Sequence, residues 1–372
     1  LRRFMLLLLL LTLSLGMVGC NEDKFMNLRG SVQDRFTGEV LSGVQVEIAN
    51  FLVESNANGY FILEDIPVID DLKVEDRLIK VTAPGYRTYV QELSLEEGDK
   101  RVDIKLDTKE RKEFIFVSDK DGHKNIYLSD IYGDNITQLT QDRGNNWAPN
   151  WSEERKKIIF LSDRNGHSNI YTMKADGSNL QQITYTTSNK EDPIWLNKDE
   201  IIFASDRDGD YELYQTNLSS SYLKKITDNN HYDGQVSYSS ANNKLLYVSE
   251  TTGEKKIHIM NQDGQGKMVL HTGFGKDSHP SWSADGRTIL FTNQGDSIST
   301  IYRINPNGSG LKKVLDNKSK IYDYASYDHK GELILFVVEE DGAKSIKILS
   351  SQNKIESVLF EEDRDYDSPE WK

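Results

Sequence analysis

From Phe114 onward the sequence repeats at a nearly constant interval, and that regularity restricts the possible folds more than any other feature. The segment FIFVSD (114–119) returns as IIFLSD (158–163), IIFASD (201–206), LLYVSE (245–250), ILFTNQ (289–294) and ILFVVE (334–339). A second apolar segment follows each copy: NIYLSD, NIYTMK, ELYQTN, KIHIMN, TIYRIN and SIKILS. An aromatic residue marks the unit a third time, at Trp151, Trp195, Tyr238, Trp282, Tyr327 and Trp371, with spacings of 44, 43, 44, 45 and 44 residues. Such runs, separated by Asp-Gly and Asn-Gly, predict strands joined by hairpins. With an LQQIT-like segment closing the unit, each repeat supplies four strands. A period in the forties built from four short strands predicts a β-propeller.

The two ends of the repeat are incomplete, and they complement each other. FIFVSD lacks the Pro-x-Trp segment that precedes later copies, and SPEW (368–371) lacks a repeat after it. Residues 366–372 are therefore expected to supply the innermost strand of the first blade and close a ring of six. An open ring would leave a sheet edge and two blade faces unpaired.

Upstream, LRGSVQD, GVQVEIA, GYFILEDI, LIKVTAP, YVQELSL and VDIKLD read as short strands punctuated by Gly, Asn and Asp. They predict a small antiparallel β-sandwich over 28–107. The charged stretch TKERKE (108–113) reads as a linker to the propeller at 114–372. The whole is expected to be all-β.

The segment LRRFMLLLLLLTLSLGMVGC combines two arginines, an apolar run and small residues before Cys20. That is the layout of a signal peptide over 1–19, and the run is short for a membrane-spanning helix. Cys20 is the one cysteine of the chain, so no intrachain disulfide is available to the fold. Residues 20–27 then form a tether.

A formal charge of −14 disfavours a phosphate-binding surface and hence nucleic acid. There is no HExxH motif, no G-x-S-x-G elbow and no glycine-rich phosphate loop, and the seven histidines are scattered. No cofactor and no catalysis are expected. In a propeller the innermost strands line the channel, so residues just before each Pro-x-Trp should crowd one rim. These are Asn146-Trp147, Glu191-Asp192, Tyr232-Asp233, Asp277-Ser278-His279, Tyr322-Asp323 and Tyr366-Asp367. Carboxylates and aromatic rings in one ring suit a basic or aromatic-tipped peptide; the same aspartates could instead bond turn backbones. The alternating acids Asp206, Asp208 and Asp210 in SDRDGDYE are a weaker candidate for calcium, competing with a simple turn role.

Three resemblances add to this reading. P-x-W-S-x-D-G-x-x-I-x-F-x-S-D-R and I-Y-x-M-x-x-D-G resemble the TolB-type propeller repeat, also called PD40 or WD40-like, with 148–184 close to consensus. The copies around 233–272 and 321–360 are degenerate: Tyr238 and Tyr327 replace Trp, and His258 and Lys347 replace the Tyr of IY. GSVQDRFTGEVLSGVQVEI, NANGYFILEDIP and VTAPGYRTY resemble the carboxypeptidase regulatory-like domain, a transthyretin-like sandwich that implies a spacer or docking role. Met17-Val18-Gly19-Cys20 resembles a bacterial lipobox, which implies lipidation at Cys20 and an anchored, outer-membrane, cell-envelope location on either the periplasmic or the surface side. Together they imply a non-catalytic envelope lipoprotein, monomeric unless held in a complex, that binds a protein, peptide or glycan at the channel mouth. The alternatives are a structural part of an envelope transport or secretion complex, and a lyase-like glycan enzyme marked by several histidines converging with Gln or Glu in the channel.

Overall fold

The computed structural model describes residues 24–350, 356–358 and 365–372, apart from 36, 69–73, 110, 111, 121, 134, 296 and 297. The signal peptide and Cys20 lie outside the described residues. The chain divides into two compact units, residues 1–110 and 111–372. Among the described residues no helix is long and apolar enough to cross a membrane.

Among its described residues the first unit contains seven strands: β1 (Phe25–Asp34), β2 (Gln45–Ile48), β3 (Phe51–Glu54), β4 (Tyr60–Pro67), β5 (Leu78–Thr82), β6 (Tyr89–Glu92) and β7 (Gly98–Leu106). They form sheets of order β4-β1-β7 and β3-β2-β5-β6. Alternation puts Leu28 and Val32 of β1, Phe61 and Leu63 of β4, Val46 and Ile48 of β2, and Ile79 and Val81 of β5 into one shared core. Three features differ from the sequence expectation. Phe25–Asn27, expected in the tether, already belong to β1. The short segment FLVE forms an additional strand, β3. And the sandwich is not wholly antiparallel, because β1 and β7 pair in parallel from Met26↔Gly98 to Asp34↔Leu106. The approach of these strands is close enough to demand glycine: a Cβ on Gly30 would stand 1.9 Å from the Val102 carbonyl oxygen and 2.6 Å from the Phe61 ring.

The second unit is a ring of six four-stranded sheets. Blades 2 to 6 are contiguous, and their inner strands are Asn146–Ser152, Lys190–Trp195, Asp233–Ser239, Lys276–Trp282 and Ile321–Tyr327. Blade 1 is made from both ends of the unit. Its inner strand, Tyr366–Trp371, pairs antiparallel with Glu113–Ser118, placing Trp371 opposite Phe114 and Tyr366 opposite Ser118. The closure inferred from the broken repeat is thus the closure observed. The Trp371 indole donates to the Ser326 carbonyl of blade 6 at 3.2 Å and meets Phe114 edge-on at 6.4 Å.

The repeated residues explain the blade. The aromatic residue of the second strand stacks or tilts against its partner on the third: Phe116 on Tyr127, Phe160 on Tyr171, Phe203 on Tyr214, Tyr247 on His258 and Phe291 on Tyr302, with centroids 5.3–6.2 Å apart. In blade 6 that position pairs Phe336 with Lys347. The apolar faces of neighbouring sheets then close over one another, as where Ile159 and Leu161 of blade 2 meet Ile201 and Phe203 of blade 3.

Candidate functional site

All six inner strands share one local distortion. Counting back from the marker Trp or Tyr, the third residue always has a left-handed backbone: Ala148 (φ 49°), Asp192 (44°), Gln235 (48°), His279 (46°), Tyr324 (53°) and Ser368 (46°). In each blade the register with the second strand slips at this point, as between Trp147 and Asn150 or between Asp367 and Glu370. This is a β-bulge, and it re-aims a side chain. Non-glycine residues rarely hold positive φ, and such strain concentrates where structure or function demands it. Here it turns six side chains into the channel, where they help line a cavity of about 380 Å³.

The bulge also fixes the fate of the residues around it. Two places earlier stand Asn146, Lys190, Asp233, Asp277, Tyr322 and Tyr366, all buried. Asp233 and Asp277 are 1% and 0% exposed, so they cannot form a rim. Asp233 accepts from the Asn229 amide at 2.8 Å. Asp277 accepts from His271 Nδ1 at 2.9 Å, Asn293 Nδ2 at 2.8 Å and the Ile257 backbone N–H at 3.2 Å. Tyr322 packs on Phe336 and Tyr366 on Phe116. The expectation of a rim at these four positions is therefore corrected: each holds a blade together. Trp147 is likewise spread across two interblade cores. Tyr232 is half-buried, donates its hydroxyl to Glu191 Oε2 at 3.0 Å and lies beneath the Lys255 ammonium at 4.1 Å. Lys190, a position not singled out from sequence, donates to Ser168 O, Thr186 Oγ1 and Ser188 O, and burial brings its pKa down to about 8.

The structure brings together Glu191, Asp192, His279, Asp323 and Asp367 from the sequence-derived set, and adds Gln235, Tyr324 and Ser368. A hydrogen-bonded girdle crosses four blades. The Asp192 carboxylate accepts from the Gln235 backbone N–H. Gln235 Oε1 accepts from the His279 backbone N–H at 2.9 Å, and His279 Nδ1 pairs with Asp323 Oδ1 at 2.6 Å. The Tyr324 ring stacks on the imidazole at 3.7 Å. Asp367 faces Lys124 across 3.4 Å.

The charges are coupled. Burial alone would depress the His279 imidazole, but the charge and hydrogen bond of Asp323, with Asp192 and Asp367 beyond, hold its pKa above the ordinary value. Burial favours the neutral form of Asp323, and the His279 charge and hydrogen bond overcome it, so that carboxylate stays below its usual range. Asp192 is pushed up to about 6 by burial, with Glu191 and Asp367 adding to the effect and His279 opposing it. Burial, then the charges of Asp367, Asp323 and Asp192, raise the Tyr324 phenol well above its ordinary value. One imidazole thus faces several carboxylates, and the channel is an acidic well.

Among the residues lining the cavity His279 is the one histidine. His231 is exposed on a loop whose backbone bonds Asn229. The calcium candidates do not converge either. Asp206 accepts from the Asn189 backbone and side-chain amides, both at 2.7 Å, whereas Asp208 accepts from the Tyr214 hydroxyl at 2.7 Å. Among the described residues no three metal-ligating side chains gather around a common point.

Comparison with solved structures agrees with the architecture. TolB from Acinetobacter baumannii superposes with a TM-score of 0.61 at 18% identity, over 70% of this chain and 66% of that one. A TolB-like protein of Agrobacterium tumefaciens gives 0.54 at 16% identity, over 67% and 88%. Hydrazine synthase of Kuenenia stuttgartiensis gives 0.59 at 15% identity, over 70% and 47%. The chain spans just under two thirds of the Acinetobacter protein, and at such identities the likeness concerns the fold alone. The family model described as "TolB beta propeller domain" (PD40) matches residues 109–203 and 196–372. The six bulged inner strands, the closed first blade and this match together place the chain in the TolB β-propeller family.

Proposed function

We propose that this chain is a non-catalytic cell-envelope lipoprotein that binds a protein or peptide partner at the mouth of its propeller channel. The observation that carries the reading is that Asp192 lines the cavity within electrostatic reach of Glu191, Asp367 and the His279–Asp323 pair. Four carboxylates on low-dielectric walls focus a negative field and draw a basic segment toward the opening. The TolB-like fold is a protein-binding fold, which supports a macromolecular partner over a small substrate. In this reading the sandwich is a carboxypeptidase regulatory-like spacer, and lipid on Cys20 anchors the chain to the outer membrane. Each buried methylene of such a lipid adds about 0.8 kcal/mol, so two or more chains hold the protein firmly.

The rim is tested by affinity capture from the native cell envelope. The full chain is compared with a triple variant, Asp192→Asn, Asp323→Asn and Asp367→Asn. A partner recovered by the wild type and depleted by the variant supports the reading; equal recovery of every captured protein refutes it. Incorporation of labelled palmitate that persists in Cys20→Ser would refute the anchor.

A further inference from the structure

Below the bulge, the fifth inner-strand position contributes Asn150, Ile194, Ser237, Ser281, Ser326 and Glu370 to the cavity wall. Glu370 is the one charged side chain of that set. Its carboxylate accepts from the neutral Asn150 Nδ2 at 2.9 Å, and no Lys or Arg among the described residues pairs with it. The Asn150 Oδ1 accepts the Trp195 backbone N–H at 3.2 Å, which fixes the amide's orientation. On the adjacent blade the Ser326 hydroxyl oxygen is buried with no hydrogen-bond partner, although the Ser326 carbonyl receives the Trp371 indole. The sixth position closes the wall with aromatic rings, Trp151, Trp195, Tyr238, Trp282, Tyr327 and Trp371.

A carboxylate, serine hydroxyls and aromatic walls match one chemistry. A primary ammonium has three donors and no acceptor, and it is attracted to ring faces. A hard metal ion is a poor match, since it needs six or more oxygen ligands and among the described residues no three metal-ligating side chains gather. Resting on the reading of the channel as the binding site, we propose that the cavity below the mouth is an ammonium pocket: it holds a primary alkylammonium, carried on a lysine side chain of a bound segment or on a free amine, against the Glu370 carboxylate. The acidic mouth at Asp192 and Asp323 selects cations on the way in. Strand rise puts about 7 Å between the third and fifth positions, a depth that an extended lysine side chain can cross.

Binding requires Glu370 ionised. Burial, opposed only by the Asn150 hydrogen bond, pushes its pKa up to about 8. The other titratable groups lining the cavity are Asp192, His279, Tyr238, Tyr324 and Tyr327. Capture of an ammonium near neutral pH should therefore release close to one proton, and affinity should rise roughly ten-fold from about pH 7 to about pH 9.

The test is calorimetry on the full chain in mild detergent, with n-butylamine as probe and n-butanol as its neutral counterpart. The amine should bind and the alcohol should not. Glu370→Gln should weaken the amine at least about ten-fold and abolish proton release. No heat with the wild type, or unchanged binding in Glu370→Gln with its fluorescence melt intact, overturns the pocket. A lysine-containing peptide that binds more tightly than butylamine assigns the ammonium to a bound segment; the reverse order assigns it to a free amine. If amine binding fails while partner capture at the mouth persists, only the pocket falls. If capture fails while amine binding persists, only the partner reading falls.

Discussion

Replacing Trp371 by alanine is the sharpest test of how the ring is held shut. The indole makes three kinds of interaction. It packs on Phe114 of its own sheet, donates to the Ser326 carbonyl of the neighbouring blade, and holds Tyr366–Trp371 in register with Glu113–Ser118. A fully buried Trp→Ala exchange costs ~3–5 kcal/mol. This ring keeps partial exposure, which trims the packing loss, while the abandoned Ser326 carbonyl restores about 1 kcal/mol to the cost. The expected destabilisation is about 3 kcal/mol. Trp371→Phe keeps the packing and removes the indole donor, so it should cost about 1 kcal/mol. The assay is urea unfolding followed by tryptophan fluorescence. All five tryptophans, at 147, 151, 195, 282 and 371, lie in the propeller, so the signal reports that unit without interference from the sandwich. At a slope typical of a mid-sized domain, 3 kcal/mol moves the midpoint by more than about 1 M urea. A Trp371→Ala midpoint within a few tenths molar of wild type would refute the claim that this residue clasps blade 1 to blade 6.

Three further outcomes follow from the described geometry. Gly30→Ala should destabilise the sandwich by about 3 kcal/mol or more, because its Cβ collides with the Val102 carbonyl, while tryptophan-detected unfolding stays unchanged; limited proteolysis of the first unit is the readout. The His279–Asp323 pair should stabilise the propeller most where both are charged: a raised imidazole pKa gives stability that is present below its ordinary 6.5 and lost as pH rises through the folded value, and His279→Gln should erase that loss in pH-dependent melts. Glu370→Gln should be more stable than wild type by a margin that grows with pH. The carboxyl costs nothing below its ordinary 4.5, and the penalty of ionising it builds up to about 8; equal melting curves at acidic and alkaline pH would contradict this.

The architecture was legible because a propeller repeats its apolar pattern at fixed spacing, and the missing first strand of blade 1 is visible as a surplus Pro-x-Trp at the other end. The channel was only partly legible. Taking the acids and aromatics before each Pro-x-Trp together mixes three positions of the inner strand with Tyr232 just ahead of it. Counting back from the marker separates them, and it shows Asp233 and Asp277 in register with Asn146 and Lys190, inside the interblade layer. The bulge was hidden for a physical reason. Left-handed backbone usually announces itself as Gly or Asn, yet here Ala148, Asp192, Gln235, His279, Tyr324 and Ser368 adopt it, imposed by the sheet and not by local preference. Glu370 is silent in the sequence because its meaning depends on Asn150, 220 residues away. The parallel pairing of β1 with β7 is likewise a long-range choice that no local pattern encodes.

The closing clasp also sets a timetable. Lys372 and Glu113, 259 residues apart, end as neighbours in one sheet, so the first blade cannot be finished until the last of the ring has been synthesised. Blades 2 to 6 are built from consecutive strands, whereas bringing the two ends of blade 1 together is entropically slow. The lock of the ring is therefore its last contact to form.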